Sequence, residues 1–158
     1  IPREVLAEGR TLRGYQREAV TWLVFCWGLG LNGALCDDMG LGKTVQALVA
    51  TAIARRQKQH VKNEKAGPLL IVCPTTVLSV WINEIAAFFR PGIFRSTLLY
   101  SGTPAHRKKL ARSLGAHDVV VTSYATCRSD VSALSSRRWH VAILDEGHVL
   151  HNPNTATS

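Results

Sequence analysis

The chain has 158 residues, of which 46% are apolar and 19% are charged, and its formal net charge is +8. This composition is typical of a folded domain and excludes a disordered chain, and no apolar run reaches the roughly 18 residues of a membrane-spanning helix. The basic residues cluster at 55–65, 106–112 and 137–138, which favours a polyanionic partner without separating nucleic acid from an acidic protein. The first residue, Ile1, and the polar ending "NPNTATS" are expected of a piece excised from a longer protein.

The four cysteines do not form a C-x-x-C pair, which argues against a zinc site. Cys36 and Cys73 end apolar runs and are predicted to be small core residues. Thiols without a disulfide pattern favour a reducing compartment.

Helical and extended patterns alternate along the chain. The predicted order is a helix over 12–27, a strand over 33–36, a helix over 43–56, a surface loop over 57–68, a strand over 69–73, a helix over 76–89, a strand over 96–100, a helix over 104–114, a strand over 118–124, a weaker helix over 125–135 and a strand over 139–146. Short apolar strands between amphipathic helices are typical of βαβ units. The sequence therefore predicts an α/β fold, with a mostly parallel sheet and helices on both faces.

A glycine-rich stretch, "GLGKT" at 40–44, lies between the first predicted strand and its helix. Gly40 and Gly42 allow a tight turn, and N–H groups at a helix start attract an anion. Lys43 can reach the β and γ phosphates of a nucleotide, and the Thr44 hydroxyl can bind Mg²⁺. The first position of the general phosphate-loop pattern holds Asp37 rather than glycine, so the match is incomplete.

An acidic box ends the last predicted strand, in "VAILDEGH" at 141–148. In parallel α/β sheets ligands gather at the carboxyl ends of strands, so this box is expected to face the phosphate loop. Asp145 can hold the Mg²⁺ that Thr44 also touches, and Glu146 can orient the water that attacks the γ phosphate. His148 can sense that phosphate. Together the two motifs predict a nucleoside triphosphate and Mg²⁺ as ligands.

Four stretches resemble a known family in order and spacing: "CDDMGLGKTVQ", "LLIVCPTTVLSVWINEI", "VVVTSY" and "LDEGHVLHNPNT". They are similar to motifs I, Ia, Ib and II of the Swi/Snf-type ATPases, which are DNA translocases of the second helicase superfamily. The variant "DEGH" box resembles the branch that strips TATA-binding protein from DNA, and "IVCPTT" and "HNPN" resemble the transcription-coupled-repair branch. The resemblance leaves the branch open, and it implies a RecA-like lobe spanning 1–158.

The resemblance also implies that the nucleotide is ATP, and it implies site residues. Gln16 would bond the adenine edge. The nucleotide would further contact Asp38, Met39, Gly40, Leu41, Gly42, Lys43, Thr44 and His148. Lys43, Asp145 and Glu146 would be catalytic, with Thr44 and Asp145 as metal ligands. A DNA backbone would be gripped by Pro74, Thr75, Thr76, Thr122 and Ser123, although each hydroxyl can equally cap a helix.

ATPases of this family contain two such lobes, and the second lobe supplies arginine fingers. The resemblance therefore implies that this piece, with one lobe, hydrolyses ATP at trace rates at best. It also implies a nuclear protein with no membrane partner. The implied partners are duplex DNA, a DNA-bound protein such as a transcription factor or nucleosome, and the second lobe of the parent chain.

Two other functions remain open at this stage. A small-molecule kinase would need an acceptor pocket and an arginine-bearing lid, which motifs Ia and Ib fit poorly. An isolated lobe can also act as a binding module without turnover. A separate hypothesis concerns Asp37 and Asp38, whose carboxylates would accept hydrogen bonds from the loop or hold Lys43 when no nucleotide is bound.

Overall fold

The structure, a computed structural model, describes residues 5–38, 40–62 and 66–147. Its α-helices and strands, in chain order, are α1 Gly14–Gly28, α2 Lys43–Lys62, β1 Leu69–Cys73, α3 Leu78–Phe88, β2 Thr97–Leu99, α4 Pro104–Leu110, β3 Val119–Ser123, α5 Tyr124–Ser129, α6 Val131–Ser135 and β4 Val141–Leu144. Two 3₁₀ turns, Thr75–Val77 and Ala111–Ala116, precede α3 and follow α4.

The strands form one sheet in the order β2-β3-β1-β4, and every pairing is parallel. Each of the three connections between successive strands of the sheet carries helix, as parallel pairing requires. Because all strands run the same way, the residues that follow β1, β2, β3 and β4 meet at one edge of the sheet. The segments that resemble motifs Ia, Ib and II follow or end β1, β3 and β4, so this edge carries them.

Both faces of the sheet are covered. Alternate residues of β1 and β3, among them Ile71 and Val121, pack with α1, α2 and α3 on one face. Their neighbours Val72 and Val120 pack on the other face with Leu114 and with residues of α5 and α6. All residues of β1 and β3 are buried. The predicted α/β class, with a parallel sheet and helices on both faces, is confirmed.

Several predicted boundaries are wrong. The segment 33–36 has no strand partner, because it lies across a cleft from the open edge of β4. The helix predicted to end at 56 continues to Lys62, so much of the predicted loop over 57–68 is helical. The predicted helices over 76–89, 104–114 and 125–135 each divide into two pieces. The boundaries of these helices and strands depend on how short segments pack in the tertiary structure.

Part of the positive charge is structural. Arg55, inside the first basic cluster, is buried and pairs with Asp118 through a 2.6 Å contact between Nη2 and Oδ1. Arg107, inside the second cluster, contacts both carboxylate oxygens of Asp130. Exposed basic side chains remain at Lys108, Lys109, Arg112, Arg137 and Arg138. Within the described residues no helix has the length and apolar character needed to cross a bilayer.

Candidate nucleotide site and DNA-facing edge

A large open cleft of about 1340 Å³ brings the two sequence motifs together. Lys43 and Thr44 of the phosphate loop line it, and so do Asp145 and Glu146 of the acidic box. Residues 30–37 form one wall and β4 forms part of the opposite wall. The prediction that both motifs face the same edge of the sheet is confirmed.

The phosphate loop turns through two glycines with positive φ, Gly40 at +84° and Gly42 at +78°. Glycine adopts this left-handed conformation without strain, whereas other residues rarely do. A Cβ added at Gly42 would lie 2.6 Å from the Gln16 side-chain nitrogen, so the second glycine also permits close contact with α1. The helix α2 then begins at Lys43, which presents N–H groups without intrahelical acceptors at the turn.

The carbonyl of Leu41 is the point at which the loop is fastened. It accepts hydrogen bonds from Tyr15 Oη at 3.3 Å, Gln16 Nε2 at 3.1 Å and Gln46 Nε2 at 3.2 Å. Gln16 Oε1 also accepts from the backbone N–H of Arg13 at 2.9 Å, at the start of α1. Gln16 therefore joins the first helix to the phosphate loop, a contact that its predicted adenine role does not include.

Lys43 is held by the backbone of the loop and not by its carboxylates. Its Nζ donates to the carbonyl oxygens of Asp37 at 2.7 Å and Asp38 at 2.9 Å. The hypothesis that the two carboxylates hold this lysine is therefore wrong in its choice of atoms. Both aspartates are exposed. Cys36, predicted to be a core residue, is exposed as well, whereas Cys73 is buried as predicted.

Asp145 is fixed at three points. Its backbone N–H donates to Val72 O at 2.9 Å, which extends the pairing of β4 with β1 by one residue. Its carbonyl accepts from Tyr124 Oη at 2.7 Å, and its Oδ2 accepts from Trp81 Nε1 at 2.8 Å. Among the described residues, no donor is placed at Oδ1. The next residue, Glu146, is exposed and has φ of 53° in the left-handed region.

Burial around Asp145 affects two neighbouring ionisable groups. Burial, followed by the negative charge of Asp145, raises the pKa of the Cys73 thiol to about 12. The same two causes, in the same order, raise the pKa of the Tyr124 hydroxyl above its ordinary value. Both groups therefore remain protonated at neutral pH, and Tyr124 acts as a hydrogen-bond donor.

The segment after β1 is accessible. Thr75 and Thr76 are exposed and Pro74 is half-buried, at the 3₁₀ turn that leads into α3. Exposed hydroxyl and N–H groups at a helix start suit contact with a phosphate. The positions of these three residues agree with the predicted backbone grip.

The segment after β3 differs from its prediction. Thr122 is fully buried and its hydroxyl donates to the Tyr100 carbonyl at 2.8 Å. Ser123 is buried, and its Oγ accepts from the N–H of Thr126 at 3.2 Å and so caps α5. Because both hydroxyls are occupied inside the fold, the predicted DNA contacts through these two side chains are corrected to structural roles.

A third cluster lies at the same edge, after β2. Tyr100 Oη donates to Asp130 Oδ2 at 2.7 Å, and Arg107 Nε donates to the same oxygen at 2.8 Å. The hydrogen bond from Arg107, with that from Tyr100 second, holds the pKa of Asp130 below its ordinary value. Burial and this carboxylate raise the pKa of Tyr100 to about 12. The cluster fastens α4 and α6 to the sheet.

Two predicted nucleotide-binding residues, Met39 and His148, lie outside the described residues. The sequence did not predict the contacts of Tyr15, Gln16 and Gln46 to the phosphate loop or those of Trp81 and Tyr124 to Asp145. Trp81 lies in the helix predicted over 76–89, and its side chain is buried. Helical periodicity does not indicate which group an indole N–H donates to, so the sequence did not predict the hydrogen bond from Trp81 to Asp145.

The model of the SNF2-related domain matches residues 15–158. The chain belongs to the SNF2-related domain family. It is 42% identical over 147 residues to TATA-binding protein-associated factor mot1 of Schizosaccharomyces pombe, covering 89% of this chain and 7% of that protein. It is 38% identical over 154 residues to human DNA excision repair protein ERCC-6, covering 91% of this chain and 10% of that protein.

A further relative is human lymphoid-specific helicase, 38% identical over 151 residues, with 91% of this chain and 17% of that protein covered. These curated relatives are thus far longer than the SNF2-related domain described here. Among solved structures, a nuclease-deletion mutant of the Type ISP restriction-modification enzyme LlaGI, in complex with a DNA substrate mimic, has a TM-score of 0.63 at 17% identity. That match covers 88% of this chain and 15% of that chain.

These findings confirm the resemblance drawn from the sequence motifs, and relatives of both suggested branches occur among the matches. The structural likeness confirms the predicted RecA-like fold. At 17% identity it shows the fold alone.

Proposed function

We propose that this SNF2-related domain is the ATP-binding lobe of a duplex-DNA-dependent ATPase that remodels protein–DNA complexes. One observation carries the proposal: a single cleft gathers Lys43 and Thr44 from the loop and Asp145 and Glu146 from the acidic box. These are the side-chain types that bind a nucleotide triphosphate and activate water against it. Family membership supports the same activity for the whole protein.

In the proposed site the triphosphate lies against the start of α2. Lys43 leaves the carbonyls of Asp37 and Asp38 and pairs with the β and γ phosphates, which offer it more negative charge. The backbone of Gly40, Leu41 and Gly42 wraps the phosphates, with neighbouring Asp38 and Met39. Gln16 bonds the adenine edge while its amide also holds Leu41. His148 contacts the γ phosphate.

The described residues fit Mg²⁺ without forming a closed metal cage. No group of three or more His, Cys, Asp or Glu side chains among them is placed to hold a metal by itself. Mg²⁺ keeps several waters and binds through one or two protein oxygens plus substrate phosphates. Asp145, through its Oδ1, and the Thr44 hydroxyl would supply those oxygens, and the ion would neutralise charge on the phosphates.

Glu146 is the proposed base. Its carboxylate orients a water molecule and takes its proton as the water oxygen bonds to the γ phosphorus. The bond from that phosphorus to the bridging oxygen then breaks, and ADP leaves with the electron pair. The left-handed backbone at Glu146 turns the chain sharply after β4 and leaves this side chain exposed.

Duplex DNA is the proposed track, gripped on its backbone by Pro74, Thr75 and Thr76. Exposed basic residues, including Lys108 and Arg112, strengthen the attraction to phosphates without reading bases. Further proposed partners are a second lobe in the parent chain and a DNA-bound protein, such as a transcription factor or nucleosome. The names of the relatives support this class of partner and a nuclear location. A single lobe assayed apart from the second should show trace turnover at most.

The test uses the whole protein that carries this domain and measures ATP hydrolysis with and without duplex DNA. Lys43→Ala should reduce turnover by about 10²- to 10³-fold, as loss of a preorganised charge does. Glu146→Gln should abolish turnover while ATP still binds. Lys109→Ala, assayed at saturating duplex DNA, is a matched control, because that exposed lysine does not line the cleft.

Three outcomes would contradict the proposal: no hydrolysis by the unaltered protein, hydrolysis that duplex DNA does not stimulate, or Lys43→Ala turnover equal to that of the control. The first would indicate a binding module that works without turnover, and the last would show that the hydrolysis does not depend on this phosphate loop. Duplex affinity should also fall steeply between about 50 and 200 mM salt, because backbone contacts release counterions.

A further inference from the structure

Trp81 and Tyr124 link the DNA-facing segments to the acidic box. Trp81 Nε1 donates to Asp145 Oδ2 at 2.8 Å, and Tyr124 Oη donates to the Asp145 carbonyl at 2.7 Å. Trp81 is 2% exposed and Tyr124 is 8% exposed, so water competes little for either bond. An indole has a single N–H donor, so Trp81 commits its full hydrogen-bonding capacity to this carboxylate.

Each donor comes from an element that begins at the sheet edge. Trp81 lies on α3, five positions after Thr76 and about one and a half helical turns into the segment that Thr75–Val77 opens. The helix is packed in the main core through Trp81 and Ile85, so it moves as a body. Tyr124 is the first residue of α5 and follows Ser123 at the end of β3.

These two donors reach different parts of one residue. The Tyr124 bond fixes the main chain of Asp145, while the Trp81 bond fixes one carboxylate oxygen. The remaining oxygen, Oδ1, has no donor among the described residues. A shift of α3 would therefore turn the carboxylate about a main chain that Tyr124 and the sheet hold in place.

We propose that Trp81 and Tyr124 are positioning residues that carry DNA engagement at 74–76 to the Asp145 carboxylate, and so set how strongly DNA stimulates ATP hydrolysis. This inference rests on the proposed function. DNA held at Thr75 and Thr76 would move the start of α3, and Trp81 would transmit the movement to Oδ2. Tyr124 would keep the carbonyl of Asp145 fixed while the side chain turns.

The experiment compares conservative variants in the whole protein that carries this domain. Trp81→Phe and Tyr124→Phe each remove one donor and keep an aromatic ring. Trp139→Phe and Tyr100→Phe are matched controls, because their donors bond the Leu134 carbonyl and Asp130 instead. ATP turnover is measured with and without duplex DNA, together with ATP affinity, duplex affinity and thermal unfolding.

Trp81→Phe should lower the ratio of DNA-stimulated to basal turnover by about tenfold, and Tyr124→Phe by about threefold, since a hydrogen bond to a charged group is the stronger. ATP and duplex affinities should stay within about twofold of the unaltered protein. The double variant should lose less than the product of the two losses, because both bonds act on one residue. Both controls should keep the ratio.

A spectroscopic readout on the 158-residue chain tests the link without turnover. The indole N–H resonances of its four tryptophans can be assigned by single Phe substitutions. Added duplex DNA should move the Trp81 resonance and leave that of Trp139 in place. A Trp81 resonance that DNA leaves unmoved would overturn the proposal, and Tyr124→Phe carries the test if Trp81→Phe fails to fold.

The proposal is overturned if the variants keep the same stimulation ratio as the controls, or if basal and stimulated turnover fall by the same factor. A loss of ATP or duplex affinity without a change in the stimulation ratio would also overturn it, because residues that position the Asp145 carboxylate should change the turnover rate. These outcomes are distinct from failure of the proposed function, which would appear as a lack of DNA-stimulated hydrolysis in the unaltered protein.

Discussion

The two walls of the nucleotide cleft are built differently. On the phosphate-loop wall, residues 31–38 have no regular structure, and the loop is held by side chains that donate to carbonyl oxygens of the loop itself. On the acidic wall, β4 pairs with β1 over four residues, and Asp145 extends that ladder. The phosphate-loop wall is thus held by a few side-chain hydrogen bonds, and the acidic wall is held by strand pairing in the sheet.

This difference has a functional consequence. A segment fastened by a few partly exposed hydrogen bonds opens at a small fraction of the global free energy of unfolding, whereas a strand paired along a sheet opens at a higher free energy. The phosphate loop can therefore rearrange when a nucleotide replaces the contacts of Lys43. The acidic box keeps its backbone and changes at most a side-chain rotation. Nucleotide binding is expected to order the first wall more than the second.

The largest expected contrast concerns two cysteines, one near each wall. Cys36 is exposed on the loop side, while Cys73 is buried at the end of β1 beside Asp145. At pH 8 a thiol with a pKa of about 12 is ionised in only about one molecule in 10⁴, and the thiolate is the reactive form. Alkylation of Cys36 should be at least about 10³-fold faster than that of Cys73, as followed by mass spectrometry of the peptides.

A Cys36→Ser variant provides the control, because its rapid phase of alkylation should disappear while Cys73 remains protected. Saturating ATP should slow the modification of Cys36, which lines the cleft, and leave Cys73 unchanged. Comparable rates for the two thiols would show that the acidic wall opens as readily as the loop, and the contrast between the walls would then be lost.

The next expected effect comes from Gly42→Ala. A left-handed non-glycine residue costs about 1–3 kcal/mol, and here the added Cβ also meets Gln16 Nε2 at 2.6 Å. ATP affinity should fall more than about tenfold in equilibrium binding. Gly92→Ala is the matched control: its φ is +96° and nothing lies within 4 Å of its added Cβ. The control should lose comparable stability and keep full ATP affinity.

A double variant separates strain from collision at Gly42. With Gln16→Ala in place the clash is removed, so the further loss of affinity on Gly42→Ala should be smaller than in the unaltered chain. Such non-additivity is expected of residues in direct contact. Strictly additive losses would indicate that Gln16 does not fasten the loop in the nucleotide-bound state.

Sequence reasoning predicted most of the fold here, because its signals are local. The buried strands β1 and β3 are continuous apolar runs between helices, and such runs are readily identified. The segment 33–36 is also a short apolar run, yet a strand needs a neighbour at hydrogen-bonding distance, and the cleft lies where that neighbour would be. Composition gives no information about that gap.

The sequence predicted the motifs of the site but not the residues that hold those motifs in place. Lys43 and Asp145 were found because their positions follow a strand or open a helix, which is a feature of chain order. The donors that support the two motifs lie far from their acceptors in sequence: Trp81 is 64 positions from Asp145, and Gln16 is 25 positions from Leu41 in the phosphate loop. For Thr122 the chain order indicated a position at a strand end, where a hydroxyl can face either outward or inward. Only the packed structure shows that this hydroxyl faces inward.

The smallest expected effect is that of Asp38→Asn, which tests how the loop holds Lys43. The lysine contacts backbone carbonyls at Asp37 and Asp38, and substituting the side chain leaves those oxygens in place. The exposed carboxylate would otherwise repel a triphosphate by at most about 1 kcal/mol through water. ATP affinity should therefore rise by less than about fivefold, and the gain should shrink at high salt because the charges are screened. A loss of tenfold or more would show that the carboxylate, rather than the carbonyl, orders this wall of the cleft.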